Sequence, residues 1–422
     1  MRFIADLQIH SKYSRATSPR MNLEVLDEAA RRKGILVMGT GDATHPLWVK
    51  ELKEKLEPAE AGLFKLKAAT GQNFTHFLLT AEVSLIYKRL GKVRKVHQLL
   101  FFSNFAALDD FNTQLSKVGN LMSDGRPIIG LDSERMAAML FSASPDNVLI
   151  PAHCWTPWFS VFGARSGFDT LEECFGKYTD KIFAVETGLS SSPPMNWRLK
   201  QLDNITLVSN SDAHSPEKIG REANVFGTEL SYEGIINAIK TADPKKFLMT
   251  LEFFPEEGKY HYPGHRACKM RATPSEAKDW RGICPKCGRL LTDGVLTRVE
   301  ALANFPIGHK SGRALPFKYL IPLQEIIAEA LATGVGTKAV KGLYQRLTDT
   351  VAPEFEILMN AKIEDLKAVA GGLIAEGISR VREGQVKIEP GYDGEFGHIK
   401  VFTPEERAAG GAKEVAKQAR LI

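Results

Sequence analysis

No stretch of this 422-residue chain approaches the roughly 18 consecutive apolar residues that a membrane-spanning helix needs. A membrane protein is therefore not expected. Cysteine is scarce: the five residues, an odd number, give no basis for a disulfide framework. Cys154 and Cys174 stand alone, whereas Cys268, Cys284 and Cys287 cluster. A signal-peptide pattern is also missing, because Met1-Arg2-Phe3-Ile4 runs straight into an acidic, polar segment. The expected location is cytoplasmic. Short-period repeats are absent. A strong charge of one sign is lacking too, with 55 Lys and Arg against 50 Asp and Glu, a net +5. The excess is unevenly spread, however. From Lys259 to Lys318 there are twelve Lys and Arg and four Asp and Glu, a local +8 that leaves the rest near −3. A basic section on a slightly acidic protein suggests contact with a polyanion, although a solvated basic surface gives the same count.

What is present is ordinary for a globular protein, at 44% hydrophobic and 25% charged residues, and the length suggests two or three domains. Arg2 to Leu7 reads as a buried strand. Asp6, Gln8 and His10 share a parity, so they point to one face of its end. Met21 to Lys33 has apolar residues at helical spacing, with Asn22 as N-cap and Gly34 as stop. Ile35 to Met38 is a second strand. Further apolar runs start at Phe77, Leu99, Val148, Ile182 and Ile205, and most carry or precede a polar residue able to hold a metal. Strands with helical segments between them, over about 230 residues, suggest an α/β barrel or barrel-like fold. Tyr232 to Thr241 reads as its last helix.

Six of the ten histidines precede residue 230. Five are expected at or just after strand ends: His10, His45, His97, His153 and His214. Carboxylates accompany them, including Asp42, Glu82 and Asp212. One histidine is more often a satisfied core residue. Five beside carboxylates argue for a metal site, since neutral imidazole and carboxylate suit Zn²⁺, Mn²⁺ or Fe²⁺.

His265-x2-Cys268 and Cys284-Pro285-Lys286-Cys287-Gly288 supply four tetrahedral ligands with no open position, the pattern of a structural zinc. His261 is an alternative fourth ligand. Arg266, Arg271 and Lys286 surround these ligands and suit phosphate-backbone contact. Farther on, Gly334-Val335-Gly336-Thr337-Lys338 between two helical stretches resembles a helix-hairpin-helix turn. Gly334, Gly336 and Lys338 would there contact DNA phosphate. Gly371-Gly372 resembles a second copy, with Val369 at its first glycine position. Glu405 to Arg420 reads as a frayed helix or tail.

The order of the N-terminal motifs resembles the PHP (polymerase and histidinol phosphatase) phosphoesterase superfamily. Its Asp-Leu-His-x-His-Ser motif appears as Asp6-Leu7-Gln8-Ile9-His10-Ser11, and its Ser-Asp-Ala-His motif as Ser211 to His214. The resemblance implies an α/β fold: a distorted (β/α)7 PHP-type barrel over 1–250. A small basic zinc-binding module over 251–312 and a C-terminal helical domain over 313–422 follow it. It also implies two or three divalent metals (Zn²⁺, Mn²⁺ or Mg²⁺) in the barrel. His10, Glu82 and Asp212 would hold one. Glu82 would bridge to a second, held also by His97 and His153. His45 and His214 would belong to a third position, with Asp42. Glu82, Asp212 and His214 would carry the catalysis. Gln8 departs from the superfamily's histidine. An amide oxygen is a poorer ligand for zinc than imidazole, so a weakened or differently occupied first position is expected.

The zinc module, Asp293 to Glu300 and the closing Lys387 to Gly397 narrow the resemblance to the endonuclease Q family, over nearly the whole chain. That implies a metal-dependent DNA repair endonuclease. It would nick damaged double- or single-stranded DNA on the 5′ side of uracil, hypoxanthine or xanthine, and at abasic sites. A replication protein or helicase is the class of protein partner left open, and a monomer is expected. The base would be flipped out of the duplex. His153-Cys154-Trp155-Thr156-Pro157-Trp158-Phe159 places Trp155, Trp158 and Phe159 as its pocket or wedge. The competing readings are a small-molecule phosphoesterase and a catalytically weakened DNA-binding or helicase-partner protein.

Overall fold

Short apolar runs punctuated by Gly, Pro and Asn fill the first 250 residues, and most become strands. The computed structural model describes residues 1–69 and 74–409. In chain order its strands there are β1 (Arg2–Asp6), β2 (Val37–Gly39), β3 (Leu56–Pro58), β4 (Phe64–Leu66), β5 (His76–Arg89), β6 (Lys92–Phe102), β7 (Ile128–Ile129), β8 (Val148–Pro151), β9 (Ala184–Glu186), β10 (Thr206–Val208), β11 (Ala223–Gly227) and β12 (Phe247–Glu252).

Seven of these strands form a hydrogen-bonded ring. β1 pairs with β2, and β2 with β5, both in parallel. β5 and β6 form an antiparallel hairpin, and β6 pairs with β8. The Cys154 N–H then donates to the Glu186 carbonyl at 3.0 Å, linking the end of β8 to β9, which pairs with β10. The circuit closes beyond β1, where the His10 N–H donates to the Ala213 carbonyl at 2.9 Å. Ala5, Val37, Leu78, Leu99, Ile150, Ala184 and Val208, one from each ring strand, are buried together in its interior. The ring is thus a packed core and not a channel. It is also mixed in direction, since one long hairpin stands where an alternating strand–helix unit was expected. β11 and β12 extend the sheet outward from β1.

The helices lie where their periodicity puts them. Leu23–Lys33 is capped by the Asn22 side chain, which accepts from the Val25 N–H, and ends at Gly34 in the left-handed conformation. Tyr232–Thr241 is helical as expected. Three ligand expectations shift in position. Glu82 and His97 lie inside the long hairpin strands and not at their ends, while His45 occupies the N-cap position of the helix Pro46–Lys55.

After β12, two short strands, β13 (Gly264–His265) and β14 (Met270–Arg271), frame the cysteine segment. β15 (Phe317–Tyr319) returns to pair with β12. The helices Leu323–Ala330, Lys338–Thr350, Glu354–Met359, Ile363–Ala370 and Gly372–Glu383 then pack through Ile326, Leu343, Leu366 and Ile378. A last hairpin, β16 (Lys387–Glu389) and β17 (His398–Lys400), folds back: the Arg266 N–H donates to Asp393 at 2.6 Å and the Gly391 N–H to the Glu256 carbonyl at 2.8 Å. Pro404–Ala409 is helical, and the rest of the expected tail lies outside the described residues. Among the described residues, no helix is long and apolar enough to cross a membrane.

Gly41 is fixed by this geometry. Its φ is +58°, and a Cβ there would collide with the Ile9 carbonyl. Gly41→Ala is therefore expected to destabilise the fold by about 2–3 kcal/mol, read as a lowered denaturant midpoint. A midpoint equal to the parent's would show that the β1 and β2 ends can move apart freely.

Candidate metal centre

Parallel strands that end on one rim bring their terminal residues together. Here they gather around Glu82, whose carboxylate is 1% exposed. Its Oε1 lies 2.5 Å from His97 Nδ1 and 3.2 Å from His153 Nε2. Its Oε2 accepts from Gln8 Nε2 at 3.0 Å and lies 3.0 Å from His10 Nε2. Arg126 Nη1 stands 3.4 Å from both oxygens. Burial disfavours the charge on Glu82, but Arg126 and His97 outweigh it and hold the carboxyl well below its usual range.

Two three-residue sets result, each with potential ligand atoms within 4.8 Å of one another: Glu82, His97 and His153, and His10, Asp212 and His214. Three ligands with room for a fourth group is the pattern of a catalytic metal, not a structural one. The donor chemistry fits. Burial brings the His97 pKa down to about 4, so the ring is neutral, which is the ligating form. His10 Nδ1 is 2.9 Å from Asp42 Oδ1, and Asp42 Oδ2 accepts from the Ser11 N–H at 2.6 Å and from the Ser11 and Ser14 hydroxyls. Asp42 therefore orients His10 from behind, as carboxylates commonly orient ligating imidazoles. Asp42, His153 and Asp212 have φ of +51°, +29° and +47°. Non-glycine residues held in the left-handed region cluster at functional sites.

The expected third group does not assemble. His214 joins His10 and Asp212. Asp42 is spent on His10 and the serines. His45 stacks on Tyr13 with ring centroids 4.5 Å apart, and its buried Nδ1 has no partner. Gln8 turns its amide nitrogen toward Glu82, because its oxygen would face a carboxylate there. Its Oε1 is buried without a partner.

A separate set joins His265, Cys268, Cys284 and Cys287 within 4.8 Å. His261 stays out of it. The burial of His261 brings its pKa down to about 4, and it faces a cavity instead. Burial raises the Cys284 thiol, but the Lys286 N–H, the His265 ring and the Cys287 N–H bring it down to about 7, toward the thiolate a metal needs. Arg266, Arg271 and Lys286 are exposed around this set, and Gly334, Gly336 and Lys338 are exposed at the start of helix Lys338–Thr350.

The three aromatics after His153 separate. Trp155 is a core residue and not a pocket wall. It is 1% exposed, packs on Phe162 and donates its indole N–H to Asn196 at 2.8 Å. Phe159 lies against the His97 ring, 4.7 Å between centroids. Trp158 is exposed on a cavity of about 450 Å³ shared with Thr156, Arg221, Tyr260, His261 and Phe396. Sequence reading missed Arg126 and Glu186. Only the turn Asp124-Gly125-Arg126-Pro127 hinted at the first. Glu186 ends β9, where it accepts from the His153 N–H and from Asn210 Nδ2, both at 2.7 Å.

Comparison with known proteins follows the same lines. Residues 322–385 match the family model described as MJ0043 C-terminal domain. The chain is 36% identical over 262 residues to the uncharacterised protein MJ0043 of Methanocaldococcus jannaschii, across 60% of this chain and 32% of that protein. It thus spans about a third of that relative's length. The crystal structure of the lesion-specific endonuclease PfuEndoQ from Pyrococcus furiosus is similar with a TM-score of 0.84 and 33% identity, over 99% of both chains. An endonuclease Q complex with a 27-mer duplex substrate, carrying an abasic lesion at the active site, is similar with a TM-score of 0.82 and 34% identity, over 96% of this chain and 98% of that one.

Beside the ring, Glu222 just before β11 and Glu252 at the end of β12 are fully buried, and Glu222 Oε2 and Glu252 Oε1 have no partner among the described residues. Burial, together with the neighbouring Glu252, pushes Glu222 well above the usual range, and burial pushes Glu252 up to about 7. The native state therefore holds protons that the unfolded chain releases near its ordinary glutamate pKa. Stability must fall as pH rises from about 5 through 7, by up to about 1.4 kcal/mol per pH unit for each proton held. Glu222→Gln is expected to flatten that fall by roughly one proton, read from denaturant midpoints at several pH values. Parallel curves for parent and variant would refute the buried pair.

Proposed function

The chain belongs to the endonuclease Q family, and we propose that it is a metal-dependent DNA repair endonuclease. It hydrolyses the phosphodiester on the 5′ side of uracil, hypoxanthine, xanthine and abasic sites. The observation that carries this reading is the pair of ligand sets meeting at Glu82, in a chain that matches the duplex-bound relative almost end to end. In this reading the ring over 1–250 is a PHP-type barrel, 251–312 a zinc-braced module and 313–422 a helical domain whose 387–400 hairpin returns to the module.

His10, Asp212 and His214 would hold one divalent cation, and Glu82, His97 and His153 another. When bound, such cations supply Lewis acidity toward a phosphoryl oxygen and an attacking water. The chain's own residues do the rest. Asp42 fixes the His10 ring. Glu82 ties the two sets together through its two oxygens. Arg126 adds a fixed positive charge at the mouth of the site, where its unbonded N–H groups face a phosphate oxygen. His214 donates its Nδ1–H to the Asp212 carbonyl at 2.8 Å, which leaves Nε2 as the nitrogen that would face the first cation. The flipped nucleotide lodges in the cavity walled by Trp158 and Tyr260, beside His153. The exposed basic residues Arg266, Arg271, Lys286 and Lys338, with the Gly334–Gly336 turn, hold the duplex backbone.

A duplex with one deoxyuridine or deoxyinosine, supplied with Mg²⁺ or Mn²⁺, is expected to be nicked on the 5′ side of the lesion. Glu82→Gln should slow nicking by about 100-fold or more, since loss of partners one shell farther out already costs 10–100-fold. No cleavage of any damaged duplex would refute the assignment. His265, Cys268, Cys284 and Cys287 hold a structural zinc. Cys284→Ser should therefore lose one equivalent of zinc by elemental analysis and unfold at a lower temperature, whereas Cys154→Ser keeps the parent's zinc content.

A further inference from the structure

The β5–β6 hairpin is longer than the ring requires. Ring neighbours pair with β5 only between His76 and Leu85, and with β6 only between Gln98 and Phe101. From Ile86 to Arg94 the two strands pair with each other alone, the Lys95 N–H donating to the Ser166 carbonyl at 3.2 Å, and they turn at Leu90 and Gly91, both with positive φ, the geometry of a type I′ hairpin. The projecting part rises from the rim that carries Glu82 and His97. Its tip at Arg89 lies about 23 Å along the strand from Glu82, at about 3.3 Å per residue.

Its composition is one-sided. Lys88, Arg89, Lys92, Arg94 and Lys95 fall within eight residues, and no acidic residue occurs between Glu82 and Asp109. The two faces differ in how this charge is used. On one face Tyr87 bonds Ser133 at 2.8 Å, Arg89 pairs with Glu134 at 3.3 Å, and Arg94 bonds the Gly167 carbonyl and covers the Phe168 ring. That face is the tether. The other face follows the strand alternation from Glu82 and His97. Register pairs Ser84 with His97, Ile86 with Lys95, and Lys88 with Val93, so Lys88 and Lys95 share the face of the two candidate ligands. Lys88 and Val93 are exposed, Lys95 half-buried above the Phe159 ring, and neither lysine has an ion pair among the described residues. Lys88 and Lys95 are diagonal neighbours across the two strands, and two like charges that close are better held when something anionic covers them.

We propose that this arm grips the phosphate backbone of the duplex flanking the scissile bond, with Lys88 and Lys95 as the phosphate contacts. The proposal rests on the endonuclease reading above. Its reach of about 23 Å corresponds to six or seven nucleotides of one strand at about 3.4 Å each. The arm therefore extends the grip along the backbone without reading sequence.

The test is equilibrium binding of the full zinc-loaded chain to an undamaged duplex, which is not consumed, over a range of salt. Each phosphate contact contributes about 0.9 to the slope of log K against log salt. Lys88→Ala/Lys95→Ala is expected to bind more weakly and to lower that slope by about 1.8. Lys245→Ala/Lys246→Ala, exposed at the opposite end of the sheet, should keep the parent's slope. Trimming the duplex to about three base pairs on one side of the lesion should make parent and arm variant nick at converging rates. Unchanged metal content and melting temperature in the arm variant exclude misfolding. A parent-like slope in the arm variant overturns the grip while leaving the nuclease reading intact. A parent that binds duplex with the expected arm dependence, but nicks no lesion, overturns the nuclease reading alone. A parent that binds no duplex overturns both.

Discussion

A buried carboxylate in the middle of a long strand sets the terms for everything around it. Glu82 has almost no access to water, and an ionised carboxylate in that position is tolerable only when fully paired. Its partners come from separate parts of the chain: Gln8 and His10 beyond β1, His97 on β6, His153 after β8 and Arg126 from a loop. No local segment can satisfy it. The ring of strands has to close for the charge to be held, and the ligand sets form as the same event. The fold and the chemistry are therefore one constraint, and a defect in ring closure is also a defect in the site.

The cost appears in the backbone. Asp42, His153 and Asp212 sit at positive φ, at roughly 1–3 kcal/mol each. Such conformations persist when packing over-determines them. The interior residues Ala5, Val37, Leu78, Leu99, Ile150, Ala184 and Val208 do that directly below the rim. Carboxyls beneath and beside it follow the opposite logic. Glu186, Glu222 and Glu252 form no ion pair among the described residues, and burial outweighs the pull of His153 on Glu186 and of Arg221 on Glu222, so all three pKa values rise. Burial thus opposes the charge on all four carboxyls, and only at Glu82 do Arg126 and His97 outweigh it.

Much of this was readable in advance because it rests on local patterns. Asn22 and Gly34 bracket a helix by capping chemistry that depends on neighbouring backbone alone, and Tyr232–Thr241 follows from its apolar stripe. The cysteine spacing marked three thiols and left the fourth member open between His261 and His265, and the fold brings His265 to them, because that choice is set by distance across loops. The failures share a cause. Glu82 and His97 looked like strand-end residues because the polar and charged stretch from Lys88 to Lys95 masks the continuation of the strands. Trp155 looked like a pocket wall because its sequence neighbours are functional, yet its side chain turns inward to Asn196. His45 had the right residue type in the right order, but its ring is committed to Tyr13. Arg126 is a single residue in a loop, and no periodicity or spacing rule marks it.

Gln8 shows how one substitution redistributes a shared charge. With imidazole at that position, Glu82 Oε2 would meet a second ligand ring. With the amide, it meets an N–H donor at 3.0 Å, a hydrogen bond that needs no metal. One lone pair of that oxygen is then occupied by the Gln8 amide. The first set is left to lean on His10, Asp212 and His214, and those atoms do lie within 4.8 Å of one another. Arg126 adds a positive charge on the same carboxylate from the solvent side. The fixed donors at Glu82 therefore supply part of the neutralisation that a fully ligated first position would draw from a cation. That lets the buried carboxylate remain ionised, and the ring remain closed, before any metal arrives.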